Sequence, residues 1–291
     1  MTQDQPWLGG SLIIASAAAF SFAGFFTRLI PFDAWTLLFW RGLYGGAFIA
    51  GYIVWLHGRD AIAAVRAVGV SGLVVAACST FATICFINAL RRTSVADVMV
   101  INATTPFFAA AIAWLWTGER ERPVTLIASA AALAGVILTF DGALPAGRLF
   151  GNLLALIMTI LISVMMVIIR RRRDTPMLPA AALSALAVAV LVAPVATPRA
   201  GFGANWIYLV LFGTAQFGLG LLLLTLGTRL ISATRSALVG SLETPLALLW
   251  VWLGFGEVPS VMTGVGGAVV MAAVVADILL AVRRNGVHEP G

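Results

Sequence analysis

Glu243 is the side chain in this sequence with the clearest capacity for chemistry. It lies near the middle of the apolar stretch 231–253, two residues before Pro245. A carboxylate in such a setting is costly unless it has a partner or faces water. It could bind an ammonium group or exchange a proton. Alternatively, neighbouring helices could hold it by hydrogen bonds beside the carbonyl that Pro245 leaves without a donor. We favour the functional interpretation, because ionisable groups at this depth are usually functional.

Smaller polar residues could line a cavity together with Glu243. Ser79, Thr83 and Phe86 are spaced so that they share one face of a helix. Two hydroxyls beside an aromatic ring suit a neutral, partly apolar solute, although serine and threonine in apolar helices also bond their own backbone or a neighbouring helix. For the remaining candidates, cavity lining and packing are equally open; these are Asn102, Ser163, Gln216 and Ser241.

The composition identifies the elements that position these residues. The chain has 61% hydrophobic residues, 10% charged residues and a mean hydropathy of +1.01, whereas about a quarter of a soluble domain is charged. A helix needs roughly 20 residues to cross a bilayer core about 30 Å thick. We therefore predict an all-α integral membrane protein, a single domain over residues 1–291 with ten transmembrane helices. They are 8–29, 34–56, 67–90, 94–116, 124–140, 149–169, 177–197, 205–228, 231–253 and 260–282.

The segments 89–123 and 227–259 are degenerate copies of each other. The triplet Thr104 to Pro106 in the first copy matches Glu243 to Pro245 in the second, so glutamate stands in place of threonine. Tryptophans and a Gly-Glu pair then follow in both copies. Internal repetition of this kind in a hydrophobic chain is typical of transporters.

The repeat predicts two halves, 8–145 and 146–284, with five helices in each. An odd number of crossings inverts the second half relative to the first, and inverted halves can open one central site to either side of a membrane. Pro106 and Pro245 each remove a helical hydrogen bond, which permits a hinge or simply fixes a kink.

The arginines predict the orientation. All 18 basic side chains are arginine, and most fall in the loops on the side of the N-terminus. Because basic residues concentrate on the cytoplasmic side, both termini are expected to be cytoplasmic.

Several function classes lack the residues that they require. The two histidines, His57 and His288, lie in a loop and in the C-terminal tail, so the predicted helices hold no histidine and carboxylate cluster for a metal or for catalysis. No phosphate-binding glycine loop is present, and the polar positions are too sparse for a channel lining. We predict no enzyme activity, no cofactor and no metal. The net charge of +6 reflects membrane orientation, and no nucleic-acid partner is expected.

Beyond the residues themselves, the chain resembles a known family. The two proline-containing helices that begin at Ser94 and Ser232, with Gly-Glu ends at Glu119 and Glu257, are similar to those of the drug/metabolite transporter superfamily, EamA type. Among its members the chain looks most like the YddG exporters of aromatic and other neutral amino acids. The resemblance implies a basket of helices around a central cavity, lined by helices 1, 3, 4, 6, 8 and 9, with helices 5 and 10 outside.

The same resemblance bears on Arg41, near the start of the second helix. Arg41 could attract a substrate carboxylate, but the second helix is not among the family's main cavity liners. We therefore favour a structural partner such as Asp97, at a similar depth on the fourth helix. Asp277, close to Arg283 and Arg284, is expected to reach the cytoplasmic edge.

The resulting hypothesis is a secondary transporter that exports small zwitterionic metabolites, chiefly amino acids including aromatic ones, by alternating access. Its partners would be the small-molecule substrate and the lipid of a bacterial inner membrane, with a monomer or weak dimer as the working unit. A carrier of the same superfamily for a lipophilic cation or a nucleotide sugar is the main alternative, and a polytopic enzyme or a channel is less favoured.

Overall fold

Helices account for all the regular structure in the part of the chain that the computed structural model describes, residues 6–93, 95–118, 120–139, 149–198, 206–256 and 261–286. An apolar chain favours helices because each helix satisfies its own backbone polar groups. The helices are α1 (Pro6–Ser21), α2 (Ala23–Leu29), α3 (Ala34–His57), α4 (Ala61–Arg66), α5 (Gly69–Arg92), α6 (Val95–Asn102), α7 (Thr105–Thr117), α8 (Pro123–Thr139), α9 (Leu149–Arg171), α10 (Leu178–Val192), α11 (Trp206–Leu211), α12 (Leu219–Thr228), α13 (Ala233–Gly240), α14 (Glu243–Phe255) and α15 (Val261–Gly286). A 3₁₀ turn (Gly58–Asp60) precedes α4, and a π-helix (Phe212–Gly218) joins α11 to α12.

Seven helical stretches of the described chain are long and apolar enough to cross a membrane, and three shorter apolar helices accompany them. Several stretches join consecutive helices, such as α1 with α2 and α13 with α14. The predicted span 177–197 is longer than α10, which ends at Val192. Ala193 keeps helical backbone angles, and the regular hydrogen bonding ends at Pro194 because proline has no N–H to donate.

Four pairs of long helices form the bundle. α3 packs along α10, α8 along α15, α5 along α9, and α1 along α12. Methionines and small residues fill the largest buried cluster, which includes Met165, Met166, Ala109 and Ala180. This packing leaves the interrupted helices around the middle of the molecule.

The two proline segments of the sequence repeat have the same local structure. α6 ends at Asn102 and α7 begins at Thr105, while α13 ends at Gly240 and α14 begins at Glu243. The proline therefore lies in the first turn of a new helix, where its missing N–H costs little, rather than within one kinked helix.

α7 and α14, the second helices of the two proline segments, also end alike. Gly118 and Gly256 follow α7 and α14 with φ angles of 72° and 70°. Each donates its N–H to a tryptophan carbonyl four residues earlier, at 2.9 Å. This left-handed conformation favours glycine, which explains the repeated Gly at these positions. Ser94, Glu119 and Glu257, which carry other parts of the repeat, lie outside the described residues, whereas the Ser232 hydroxyl caps α13.

The Asp277 carboxylate does not extend into solvent, as a snorkelling side chain at the membrane edge would. Asp277 is buried and accepts hydrogen bonds from Arg235 Nε at 2.6 Å and from the Thr125 hydroxyl at 2.9 Å. It lies on the face of α15 that packs toward α8 and α13, so a cation and a hydroxyl compensate the cost of burying its carboxylate.

Candidate functional site

The interrupted helices surround two adjoining cavities of about 160 and about 510 Å³. The smaller cavity reaches α9 and α12, and the larger one extends along α2 toward the start of α3. The residues that line both cavities are Phe20, Ala23, Arg41, Phe86, Glu243 and Thr244. This shared boundary is where the polar groups of different helices converge.

Seven of the eight candidates for substrate contact line the smaller cavity: Ser79, Thr83, Phe86, Asn102, Gln216, Ser241 and Glu243. Ser163 is not among the lining residues. It is buried, and its hydroxyl donates to the carbonyls of Thr159 at 2.8 Å and Thr105 at 3.3 Å. Ser163 therefore joins α9 to the start of α7.

Hydroxyl groups satisfy backbone carbonyls at the helix breaks. Thr104 donates to the carbonyl of Ile101 at 2.5 Å, and Thr105 donates to the carbonyl of Asn102. In the other break, Ser241 donates to the carbonyl of Leu238 at 2.6 Å. A helix can be interrupted inside an apolar bundle only where its freed carbonyls find such donors.

Glu243 is the first residue of α14 and faces both cavities. The positive end of a helix dipole stabilises a carboxylate at this position. No described residue donates a hydrogen bond to the carboxylate, which is partly accessible from the cavity. The alternative in which neighbouring helices hold Glu243 therefore lacks donors in the described structure.

Arg41 also lies at the shared boundary, although α3 is the second helix of the bundle. Its side chain is 5% exposed, and its Nε donates to Gln216 Oε1 at 3.1 Å. The guanidinium lies over the ring of Phe217 at 4.0 Å and near that of Phe212 at 5.4 Å. The implication that the second helix does not line the cavity is wrong for this position. The side chain of Asp97, its expected partner, lies outside the described side chains.

Close packing of glycines brings Arg41 to this place. A Cβ on Gly213 would lie 2.4 Å from Tyr44 Cβ, and one on Gly45 would lie 2.9 Å from the Gly213 carbonyl. α3 and the π-helix therefore touch backbone to backbone. The wider π turn carries Gln216 and both phenylalanines of the Arg41 environment, as is frequent at functional sites.

Gln216 also connects Arg41 to the break between α1 and α2. Its Nε2 donates to the carbonyl of Phe20 at 3.1 Å, in the last turn of α1. At the break itself, Phe22 stacks on Trp250 with ring centroids 4.4 Å apart. One amide side chain therefore links three elements at the cavity.

Sequence comparison identifies the family of this bundle. The model of the EamA-like transporter family matches residues 7–141 and again residues 149–276. The chain belongs to the EamA-like transporter family. It is therefore a multi-pass membrane transporter of the drug/metabolite transporter superfamily. A comparison with curated protein sequences gives no match.

A solved crystal structure has the same fold as this EamA-like transporter. The two superpose with a TM-score of 0.76 at 20% sequence identity, covering 94% of this chain and 98% of the other. The described residues of α8 and α15 line neither cavity, as the resemblance to this family implies.

Sequence reasoning missed part of the cavity wall in this EamA-like transporter. Met158, Met165 and Met166 of α9 line the smaller cavity, and their spacing on one helix face was the available signal. Methionine side chains adapt to irregular surfaces. The rings of Phe20 and Phe217 also line this cavity.

Proposed function

We propose that this protein is a secondary transporter that exports small zwitterionic metabolites, amino acids including aromatic ones, by alternating access. The observation that carries the proposal is the mixed lining of one cavity at the helix breaks. Hydroxyls of Ser79 and Thr83, the rings of Phe86 and Phe217, and the carboxylate of Glu243 face the same space. Such a lining suits a solute with a charged amine and a partly apolar body.

The proposed architecture has ten membrane crossings in two inverted halves, 8–145 and 146–284. The seven longer stretches and the three shorter apolar helices supply the crossings. The helix contacts support equivalent halves, because α3 packs on α10 and α8 on α15, which are the second and fifth helices of each half. The first helix of each half also packs on the third helix of the other.

The proposed substrate contacts are the seven cavity-lining candidates, with Pro106 and Pro245 as hinges. Each proline lies in the first turn of the second segment of an interrupted helix, and few backbone bonds cross the break. Rotation of α7 and α14 about these breaks would change access to the cavity without unfolding either segment.

The proposed setting is a bacterial inner membrane with both termini in the cytoplasm, and the proposed subtype is that of the YddG amino acid exporters. The arginine distribution supports the orientation. The continuous cavity within one chain supports a monomer as the transporting unit.

A flux assay tests the function directly. Purified protein in liposomes should transport labelled phenylalanine, tryptophan or threonine with saturation and counterflow, which distinguish a carrier from a channel. Protein-free liposomes are the control. Failure to transport any of the three amino acids would refute the proposed substrate class.

Glu243→Gln tests the role of the carboxylate. Flux of phenylalanine should fall by about tenfold or more, because a charge-assisted hydrogen bond contributes about 1.5–3 kcal/mol. Glu121→Gln, in the connection between α7 and α8, is the matched control and should keep wild-type flux. Elution volume and melting temperature report folding. Full flux by Glu243→Gln at every pH tested would eliminate the proposed role.

A lipophilic cation is the second candidate substrate. The carboxylate of Glu243 beside the rings of Phe20 and Phe86 would also suit an aromatic cation. Competition in the liposome assay tests this candidate. A lipophilic cation that blocks phenylalanine flux and is itself transported would extend the substrate range, whereas one that does neither would exclude it.

A further inference from the structure

Arg41 is a buried cation whose charge the described protein compensates only in part. A guanidinium carries five N–H donors, and of these only the Nε–H has a hydrogen-bond partner among the described residues, Gln216. The rings of Phe217 and Phe212 add cation–π contacts. These contacts are weaker than a carboxylate partner in a low-dielectric site. The donors on the two Nη atoms have no hydrogen-bond partner among the described residues, and Arg41 lines both cavities.

Glu243 has the complementary arrangement. It lines both cavities together with Arg41 and accepts no hydrogen bond from a described residue. Arg41 and Glu243, whose side chains are both described, form no direct ion pair with each other. Neither side chain is neutralised by direct contact with the other, and both line the same two cavities.

We propose that Arg41 and Glu243 bind the opposite ends of one zwitterion, with Arg41 as the carboxylate receptor and Glu243 as the ammonium receptor. This assignment rests on the proposed function and specifies its recognition. The ligand is an α-amino acid with both ends free, and not an amine or an acid alone.

The surroundings of Arg41 prepare the guanidinium for a carboxylate. Gln216 binds Nε, and the centroid of the Phe217 ring lies 4.0 Å from Cζ, so the two Nη atoms remain for hydrogen bonds to a carboxylate. Such paired bonds depend on a fixed orientation of the fork. Gln216 is therefore a positioning residue, itself held by the Phe20 carbonyl.

Specificity follows from the groups that an incomplete ligand leaves without a partner. An amine without a carboxylate would bury part of the cavity wall and leave the Nη donors of Arg41 unpaired. A carboxylic acid without an ammonium group would place its charge near Glu243 with no compensating cation. Unpaired buried polar groups of this kind produce strong discrimination.

The test compares three ligands of nearly equal size: phenylalanine, phenethylamine and 3-phenylpropanoate. Dissociation constants are measured by calorimetry on detergent-purified wild-type protein, with flux of the same compounds in liposomes. Wild type should bind phenylalanine at least about tenfold more tightly than either analogue, a difference of about 1.4 kcal/mol.

Two substitutions test which residue binds which end of the ligand. Arg41→Gln should abolish the preference for phenylalanine over phenethylamine while the affinity for phenethylamine changes little. Glu243→Gln should abolish the preference over 3-phenylpropanoate. Arg41→Lys keeps the charge without the fork and should retain an intermediate preference. Arg92→Gln, on an exposed arginine that bonds Asn88 at 2.8 Å, is the control and should match wild type.

The outcomes separate this inference from the proposed function. If wild type transports phenylalanine but binds phenethylamine equally well, the two-ended site is wrong and the exporter stands. The same conclusion follows if Arg41→Gln keeps the wild-type preference. If wild type neither binds the three ligands nor transports phenylalanine, tryptophan or threonine, both proposals fail. The comparison of the three ligands on wild type needs no variant. It can therefore refute the two-ended site even if Arg41→Gln does not fold.

Discussion

Arg41 and Arg235 are both largely buried arginines, but only Arg235 forms a direct ion pair with a carboxylate of the protein. Arg235 has a carboxylate partner, because its Nε donates to Asp277 at 2.6 Å and its Nη2 donates to the Asp277 backbone carbonyl at 2.9 Å. Arg41 has the amide of Gln216 and two aromatic faces. The first site is closed by neighbouring helices, whereas the second opens on two cavities.

The difference separates a structural cation from one available to a ligand. At the Arg235 site the Thr125 hydroxyl also reaches Asp277, so three helices share a neutral, satisfied cluster. At the Arg41 site the Glu243 carboxylate lines the same cavities but forms no direct ion pair with the guanidinium. Burial and charge alone do not distinguish the two arginines. They differ in whether a protein carboxylate is bonded to the guanidinium.

The largest expected effect is on stability, from the same substitution at the two arginines. Arg235→Gln should lower the free energy of unfolding by about 3 kcal/mol, because it leaves the buried Asp277 carboxylate without its cation. Arg41→Gln should cost less, about 1–2 kcal/mol, since it removes one hydrogen bond and two cation–π contacts but no direct ion pair. Denaturant unfolding in detergent micelles measures both changes.

Equal losses at the two positions would contradict the distinction. A folded Arg235→Gln protein should also retain the wild-type preference for phenylalanine over phenethylamine, since Arg235 lies outside both cavity linings. Loss of that preference would mean that the closed cluster contributes to recognition.

An intermediate effect is expected where the backbone contact positions Arg41. Gly213→Ala adds a Cβ at 2.4 Å from Tyr44 Cβ, so α3 and the π-helix must separate. Overpacking of this kind costs about 1–3 kcal/mol, and the affinity for phenylalanine should fall as Arg41 moves away from Gln216.

Gly264→Ala in α15 is the matched control for the glycine. No atom lies within 4 Å of its added Cβ, so stability should stay unchanged or rise by up to about 1 kcal/mol. Wild-type affinity in Gly213→Ala would show that Arg41 does not depend on this close approach.

The smallest expected effect concerns the contribution of the Thr125 hydrogen bond to the stability of the Arg235–Asp277 cluster. Thr125→Val removes one hydrogen bond to Asp277 and should cost about 1 kcal/mol of unfolding free energy. Flux and ligand affinity should remain at wild-type values. A defect in transport with normal stability would indicate that the α8 contact moves during the cycle.

The sequence predicted the membrane class and most helix positions because both depend on local composition. Its apolar stretches match most helices to within a few residues, and the misjudged end of α10 has a local cause in Pro194. Glu243 was recognisable because a carboxylate inside an apolar stretch is costly wherever the chain folds.

The partners of the buried charges could not be predicted in the same way. Asp277 was assigned to the membrane edge because Arg283 and Arg284 are near in sequence, whereas its partner Arg235 comes from another helix. Arg41 was assigned to a structural pair because nothing local predicts the glycine contact or the π-helix that carries Gln216. Pairing across helices depends on rotation about each helix axis, which composition does not specify.

The π-helix also sets the rotation of α11 relative to α12 about their common axis. Each residue advances an α-helix by about 100°, so deletion of a single residue from Phe212–Gly218 would turn α11 by roughly that angle relative to α12. Leu209, now buried at 1% exposure, would then rotate away from its pocket beside α3. The number of residues in Phe212–Gly218 is therefore part of the architecture. An alignment that removes one residue from this segment would misplace the side chains of α11.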